Sequence, residues 1–127
     1  PAPAPAPGVP LRRDYRALEA KAHTVFTSSM DGSVAAYRLS VNEVPRLLWT
    51  YRESQNGSAG FGLTLGARWL WCPFIGGLVA LDPATGREAW RAPHRLAGNA
   101  LPPAAIGATV LAVSAAGLTA FRERGLT

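Results

Sequence analysis

Short runs of apolar residues, several of them alternating with polar ones, follow one another along most of the chain, and turn-forming residues separate them. Runs of β-branched and aromatic residues bounded by Gly, Pro, Asn or Asp are typical of β-strands. We therefore predict an all-β chain. The predicted strands are 24–29, 34–39, 46–52, 59–65, 67–74, 78–81, 88–91, 109–114 and 118–122.

The segment around Asp82 shows the pattern most clearly. The apolar run 78–81 leads into Asp82 and Pro83, and Gly86 precedes the return strand. Asp can bond its own backbone two residues on, Pro presets φ, and Gly adopts a left-handed conformation without steric cost. The segment predicts a β-hairpin that closes on Trp90.

The same pattern occurs three times along the chain. The segments 32–37 and 117–121 align with 76–81, and Trp49 lies 41 positions before Trp90. A fixed period of this length is typical of repeat architectures in which each unit packs on its neighbours. Two further segments, 65–70 and 106–111, align at the same spacing of 41.

The repeat has the pattern Gly-x-Leu/Val-x-Ala-aromatic/Leu-Asp, followed by Thr-Gly-Arg/Lys-x-x-Trp. This pattern resembles the β-propeller repeat of the pyrroloquinoline-quinone-type (quinoprotein) family over residues 20–127. The second copy matches nearly throughout, whereas Arg38 and Arg122 stand where Asp is expected in the first and third copies. The resemblance implies a partial β-propeller-like stack of about three antiparallel blades.

Five residues are predicted to dock one blade on the next. A small sheet cannot bury both faces alone, so a flat indole beside a small residue can be held by the following blade. We assign this role to Trp49 and Trp90, with Ala36 and Ala80 providing clearance and Gly86 forming the turn.

The chain divides into three kinds of segment. Residues 1–10 alternate Pro and Ala and predict an extended linker. Residues 11–22 align with the innermost strand of a first blade but are rich in helix formers, which favours a helical or irregular lead-in and an incomplete first blade. The propeller repeats follow from residue 23, at about 23–52, 59–92 and 102–127.

Composition and charge exclude few classes of function, and they point to no particular reaction or metal site. The net charge of +5 comes from basic residues scattered through every repeat, so a nucleic-acid interface is disfavoured. Cys72 is the single cysteine, cannot form an intrachain disulfide, and is expected to be a buried, inert thiol. His23 and His94 lie 71 residues apart without neighbouring ligands at metal-site spacing. We predict no catalytic residue, no cofactor and no metal.

The stretch Leu96 to Phe121 offers a different interpretation, because its 26 positions contain no charged residue and could span a bilayer. Pro102 and Pro103 break the stretch, and Gly107 and Gly117 fall where the repeat predicts turns. The repeat is therefore the favoured interpretation.

Three repeats are fewer than the minimum of about four blades in closed propellers. We expect an open stack, a fragment of a longer protein, or a piece completed by partner chains, and we favour the last. The predicted function is a non-catalytic structural, assembly or protein-interaction subunit of a larger complex, with partner contacts near Tyr37 or Phe121 on a terminal face.

The alternatives are a fragment of a quinone-dependent dehydrogenase and a propeller sensor domain of a signalling protein. The resemblance also implies a periplasmic or extracytoplasmic location, with a membrane tether upstream of residue 1 as one arrangement.

Overall fold

The computed structural model describes residues 15–21, 23–29, 32–40, 43–52, 62–74, 77–93, 103–114 and 117–123. The predicted linker, residues 1–10, lies outside these ranges. The strands are β1 Tyr15–Lys21, β2 Thr24–Ser29, β3 Ser33–Arg38, β4 Arg46–Arg52, β5 Thr64–Leu65, β6 Leu70–Phe74, β7 Gly77–Leu81, β8 Glu88–Pro93, β9 Ala104–Ile106, β10 Thr109–Ser114 and β11 Gly117–Arg122.

The strands form three antiparallel sheets, which confirms the predicted all-β, partial propeller-like fold. The first blade has the order β1-β2-β3-β4, and the second has the order β5-β6-β7-β8. The third blade, in the part of it that the structure describes, has the order β11-β10-β9. Strands that are consecutive in the sequence pair with each other in every sheet, as expected for a meander, in which backbone N–H and C=O groups form hydrogen bonds within the sheet.

The expectation of a helical or irregular lead-in is wrong for residues 15–21. This segment is strand β1 and pairs with β2 in a register that joins Lys21 to Thr24 and Glu19 to Phe26. Its helix formers supply only a weak local preference, and a helix of this length is marginal in water. Pairing also covers the edge of β2. The first blade therefore has four strands.

Each strand of the second blade has one face toward the first blade and one toward the third. In β7, Val79 and Leu81 belong to the core shared with the first blade, whereas Leu78 and Ala80 belong to the core shared with the third. All four residues are fully buried. Since both faces of this strand are covered, its sequence is a continuous apolar run rather than an alternating one.

The turn between β7 and β8 has the geometry that its sequence predicts. The Asp82 carboxylate oxygen Oδ1 accepts a hydrogen bond from the Ala84 N–H at 2.9 Å, and the Asp82 carbonyl accepts one from the Gly86 N–H at 2.8 Å. Gly86 has a φ of +75°. These bonds stabilise the turn from within and present it as a rigid corner beside the first blade.

The described part of the stretch Leu96 to Phe121 consists of strands, with β9, β10 and β11 in antiparallel register. The membrane-helix interpretation is wrong for these residues. The part of the chain that the structure describes contains no helix with the length and apolar character needed to cross a bilayer.

Candidate functional site at the interfaces between blades

Trp49 joins the first blade to the β7–β8 turn of the second. Its register partner in β3 is Ala36, whose small side chain leaves room for the indole. The indole Nε1–H donates a hydrogen bond to the Pro83 carbonyl at 2.9 Å, and the ring lies 6.0 Å from the ring of Phe26. The indole is therefore held by its own blade on one side and by the next blade on the other.

Gly86 lies directly against this indole. A Cβ atom placed on Gly86 would overlap the ring carbons of Trp49. The residue also has a positive φ, which side-chain-bearing residues rarely adopt. Two independent constraints, one conformational and one steric, thus select glycine at this position.

A polar group lies at the rim of the same interface. The Tyr51 hydroxyl of the first blade donates to the Glu88 Oε1 of the second at 2.9 Å, and the Arg91 Nη2 donates to the same oxygen at 2.8 Å. Hydrogen bonding from Arg91, followed by that from Tyr51, holds the pKa of Glu88 below its usual range against the opposing effect of partial burial. The ion pair is partly exposed, so solvent screens it.

Three aromatic rings meet at the interface between the second and third blades. Trp90 lies 4.9 Å from Phe121 in an edge-on arrangement, and Trp71 lies 5.9 Å from each of them. Ala80 is the register partner of both Trp71 and Trp90. Edge-on and offset contacts of this kind add about 0.5 to 1.5 kcal/mol per pair beyond the burial of area.

Glu123 provides a further contact between these two blades. It follows β11 directly and is 1% exposed. Its carboxylate accepts hydrogen bonds from the backbone N–H groups of Ala67 (2.8 Å), Arg68 (3.0 Å) and Trp69 (2.7 Å), and from Trp71 Nε1 (3.2 Å). A buried carboxylate requires such donors, because burying an uncompensated charge is costly. We call Glu123 and its four donors the carboxylate clasp.

Sequence reasoning did not find Glu123. The residue occurs in one copy of the repeat only, and three of its four donors lie in a turn between β5 and β6 that is far away along the chain. The available signal is Gly66, where a Cβ would overlap the Glu123 carboxylate. A glycine that opens a turn with consecutive free N–H groups is a general anion-binding arrangement.

The structure places the predicted docking residues at the interfaces and separates the two predicted partner contacts. Phe121 packs inside the chain between the second and third blades. Tyr37, in β3 of the first blade, is half-buried. The role of these two residues toward a partner stays a prediction.

Two side chains with possible chemistry have ordinary surroundings in this fold. Cys72 is buried in the core between the first two blades, and burial raises the pKa of its thiol far above the usual range, which confirms the expected buried thiol. His23 is exposed, and His94 lies outside the described residues. Among the residues that the structure describes, no three His, Cys, Asp or Glu side chains cluster as metal ligands.

Three solved structures resemble this chain. BamB from Moraxella catarrhalis is 16% identical with a TM-score of 0.64, and the match covers 84% of this chain and 32% of BamB. A europium-containing methanol dehydrogenase is 19% identical with a TM-score of 0.68, covering 87% of this chain and 23% of that one. The quinohemoprotein alcohol dehydrogenase from Comamonas testosteroni is 19% identical with a TM-score of 0.66, covering 87% and 20%.

These similar structures are built from quinoprotein-type β-propeller repeats, and this chain has the fold of that repeat. It spans about a third of the length of BamB and about a fifth of the length of the two dehydrogenases. No family model matches the chain, and no curated protein matches it. The likeness is one of fold, at a level of identity that carries no residue of a catalytic site across.

Proposed function

We propose that this chain is a non-catalytic β-propeller module that acts as a structural or assembly component of a larger protein complex. The observation that carries the proposal is exposed apolar surface at both ends of the described stack. Isolated exposed apolar residues are normal, but clusters on one surface mark sites of protein contact. The exposed large residues are Leu39, Val44, Leu47 and Leu48 on the first blade, and Ile106, Val113 and Leu118 on the third.

The polar side chains of the interfaces support the same proposal. Glu123 binds backbone N–H groups, and Glu88 binds Arg91 and Tyr51. Both carboxylates therefore hold blades together, which is a scaffolding role. The names of two similar structures state a dehydrogenase activity and the name of BamB states none, so the fold accommodates either.

We also propose that the module works outside the cytoplasm, in a periplasmic compartment. The periplasmic or extracytoplasmic location of the structurally similar proteins supports this. A fusion of the chain to alkaline phosphatase, which is active only after export, tests the location when it is expressed from the native coding sequence.

The proposed function is tested with the purified full chain. At micromolar concentration we expect a folded protein that binds a dye for exposed apolar surface. Replacing Leu47 and Leu118 together by Glu is expected to reduce the binding of the dye. A monodisperse monomer that binds no dye would contradict the need for a partner. Calorimetric binding of pyrroloquinoline quinone with calcium would contradict the non-catalytic assignment.

A further inference from the structure

At equivalent positions of one face, each of the three blades carries a large apolar residue, an alanine and an aliphatic residue. In the first blade the set is Phe26, Ala36 and Val34, and in the second it is Trp71, Ala80 and Leu78. The strand register places Leu111 opposite Ala120 and Val113 opposite Leu118 in the third blade. We call this surface the forward face, since in the first two blades it is the face turned toward the following blade. The third blade has Leu111, Ala120 and Leu118 at the equivalent positions.

The forward faces differ in burial. In the first and second blades all of these residues are at most 2% exposed, because the next blade covers them. In the third blade Leu118 is 69% exposed, Val113 is 44% exposed and Ala120 is exposed. Ile106, which pairs with Thr109 on the same face, is 67% exposed. A surface with the composition of two established interfaces thus lies open on the third blade.

The turns beside these faces differ in the same way. Gly66 and Gly107 occupy equivalent turns between the first and second strands of their blades. Glu123 of the third blade approaches Gly66 closely, whereas a Cβ on Gly107 would meet no atom within 4 Å. The third blade therefore lacks, at both the face and the turn, the contacts that a following blade provides to the second.

A second copy of this chain does not offer the matching surface. In the established interfaces a forward face packs on the opposite face of the next blade, so a second copy would have to present the opposite face of its first blade. That face includes Ser29, Ser33 and Ala35, which are 1%, 5% and 5% exposed within the chain itself. The centre of this face is closed already, and it is small and polar where the second blade has Phe74 and Val79.

We propose that the forward face of the third blade, formed by Ile106, Leu111, Val113, Leu118 and Ala120, docks a further blade of the same repeat type. The incoming sheet presents apolar side chains at every second position of a strand, as the second blade does with Leu70, Cys72 and Phe74 toward the first. This inference rests on the proposed function and names the partner surface. It continues an interface that the chain already forms twice.

The test measures thiol protection on the full chain. The probe is a fourth blade, made by joining a copy of residues 53–93 that carries Cys72→Ala after residue 127, and the matched control carries a Gly/Ser extension of the same length. Leu118→Cys reports on the forward face, and Leu47→Cys, also exposed, reports on the first blade. Cys72 is buried and is expected to contribute no fast reaction. Tryptophan fluorescence and circular dichroism verify that each variant is folded.

With the fourth blade, labelling at position 118 is expected to slow at least about tenfold, because each 1.4 kcal/mol of docking free energy reduces the open population tenfold. Labelling at position 47 should stay unchanged, and the Gly/Ser extension should protect neither site. Equal labelling with and without the fourth blade overturns the inference. Protection at position 118 that grows with the concentration of the unextended chain also overturns it, in favour of a second copy. If the fourth blade leaves position 118 unprotected while the unextended chain still binds the dye for exposed apolar surface, the proposed function survives and this inference fails.

Discussion

The two interfaces between blades solve the same packing problem with different chemistry. Between the first and second blades, the polar contacts include an indole hydrogen bond to a turn and the partly exposed group around Glu88. Between the second and third, a fully buried carboxylate binds four N–H donors beneath an aromatic cluster. Burial multiplies the energetic importance of a polar contact, because the alternative of solvation is lost. The repeat therefore specifies the geometry of an interface between blades, whereas single residues determine the stability of that interface.

The largest predicted effect concerns the carboxylate clasp. Glu123→Ala leaves three backbone N–H groups and the Trp71 indole without their acceptor, and we expect a loss of about 5 kcal/mol in the free energy of unfolding. Urea melts followed by tryptophan fluorescence measure it. Glu123→Gln keeps the shape but turns an NH₂ group toward donors, so about half of that loss is expected. A loss below about 1 kcal/mol for the alanine variant would show that water replaces the carboxylate.

Trp90 is expected to be the next most important residue. Trp90→Ala removes a ring that contacts both Trp71 and Phe121 and should cost about 3 to 5 kcal/mol. Trp49→Ala is expected to behave similarly, since its indole is also held between two blades. The measurement is again urea unfolding, with retention of the β-sheet signal in circular dichroism as the control for native structure. A loss under about 1 kcal/mol for Trp90→Ala would make it a surface residue and undo the docking role.

Gly86 and Gly107 form a matched pair that separates steric contact from backbone conformation. Both have positive φ, but only Gly86 lies against a side chain of the neighbouring blade. Gly107→Ala should cost about 1 kcal/mol for its conformation alone, and Gly86→Ala about 3 kcal/mol because the indole of Trp49 must also move.

A double-mutant cycle isolates the steric part. In a Trp49→Ala background, Gly86→Ala should cost about as much as Gly107→Ala, since the overlap is gone. Equal costs for Gly86→Ala with and without the indole would show that no close contact exists in solution.

The smallest effect is expected at the exposed rim. Glu88→Gln should cost less than about 1 kcal/mol at neutral pH, because the pair with Arg91 is screened by solvent. The pKa of Glu88 is lowered in the folded state, so its contribution is fully present above the pKa of the unfolded chain and is lost as pH falls through the lower folded value. The difference in stability between the wild type and the variant should therefore shrink as pH falls from the pKa of the unfolded chain through the lower folded value. A difference that stays constant over this titration would assign the effect to packing.

Much of the fold was accessible from the sequence because it depends on local, repeated signals. The turn at Asp82 and the apolar run before it predicted strand and hairpin positions that the structure confirms. The strand β1 was mispredicted because its pairing with β2 is a tertiary effect that overrides helix propensity. Glu123 was missed because three of its four donors are backbone groups, which have no residue signature. A contact between one side chain and a distant turn leaves no periodicity to detect.

The carboxylate clasp also has a consequence for how the chain is made. Its donors in the turn after β5 leave the ribosome before Glu123, which lies 54 residues beyond Trp69. At ordinary rates of synthesis this interval lasts roughly 3 to 11 seconds. During that time water alone satisfies the amides of the turn, and closing so long a loop adds an entropic cost to the final step. The second blade therefore completes its folding only after Glu123, a residue of the third blade, has been synthesised.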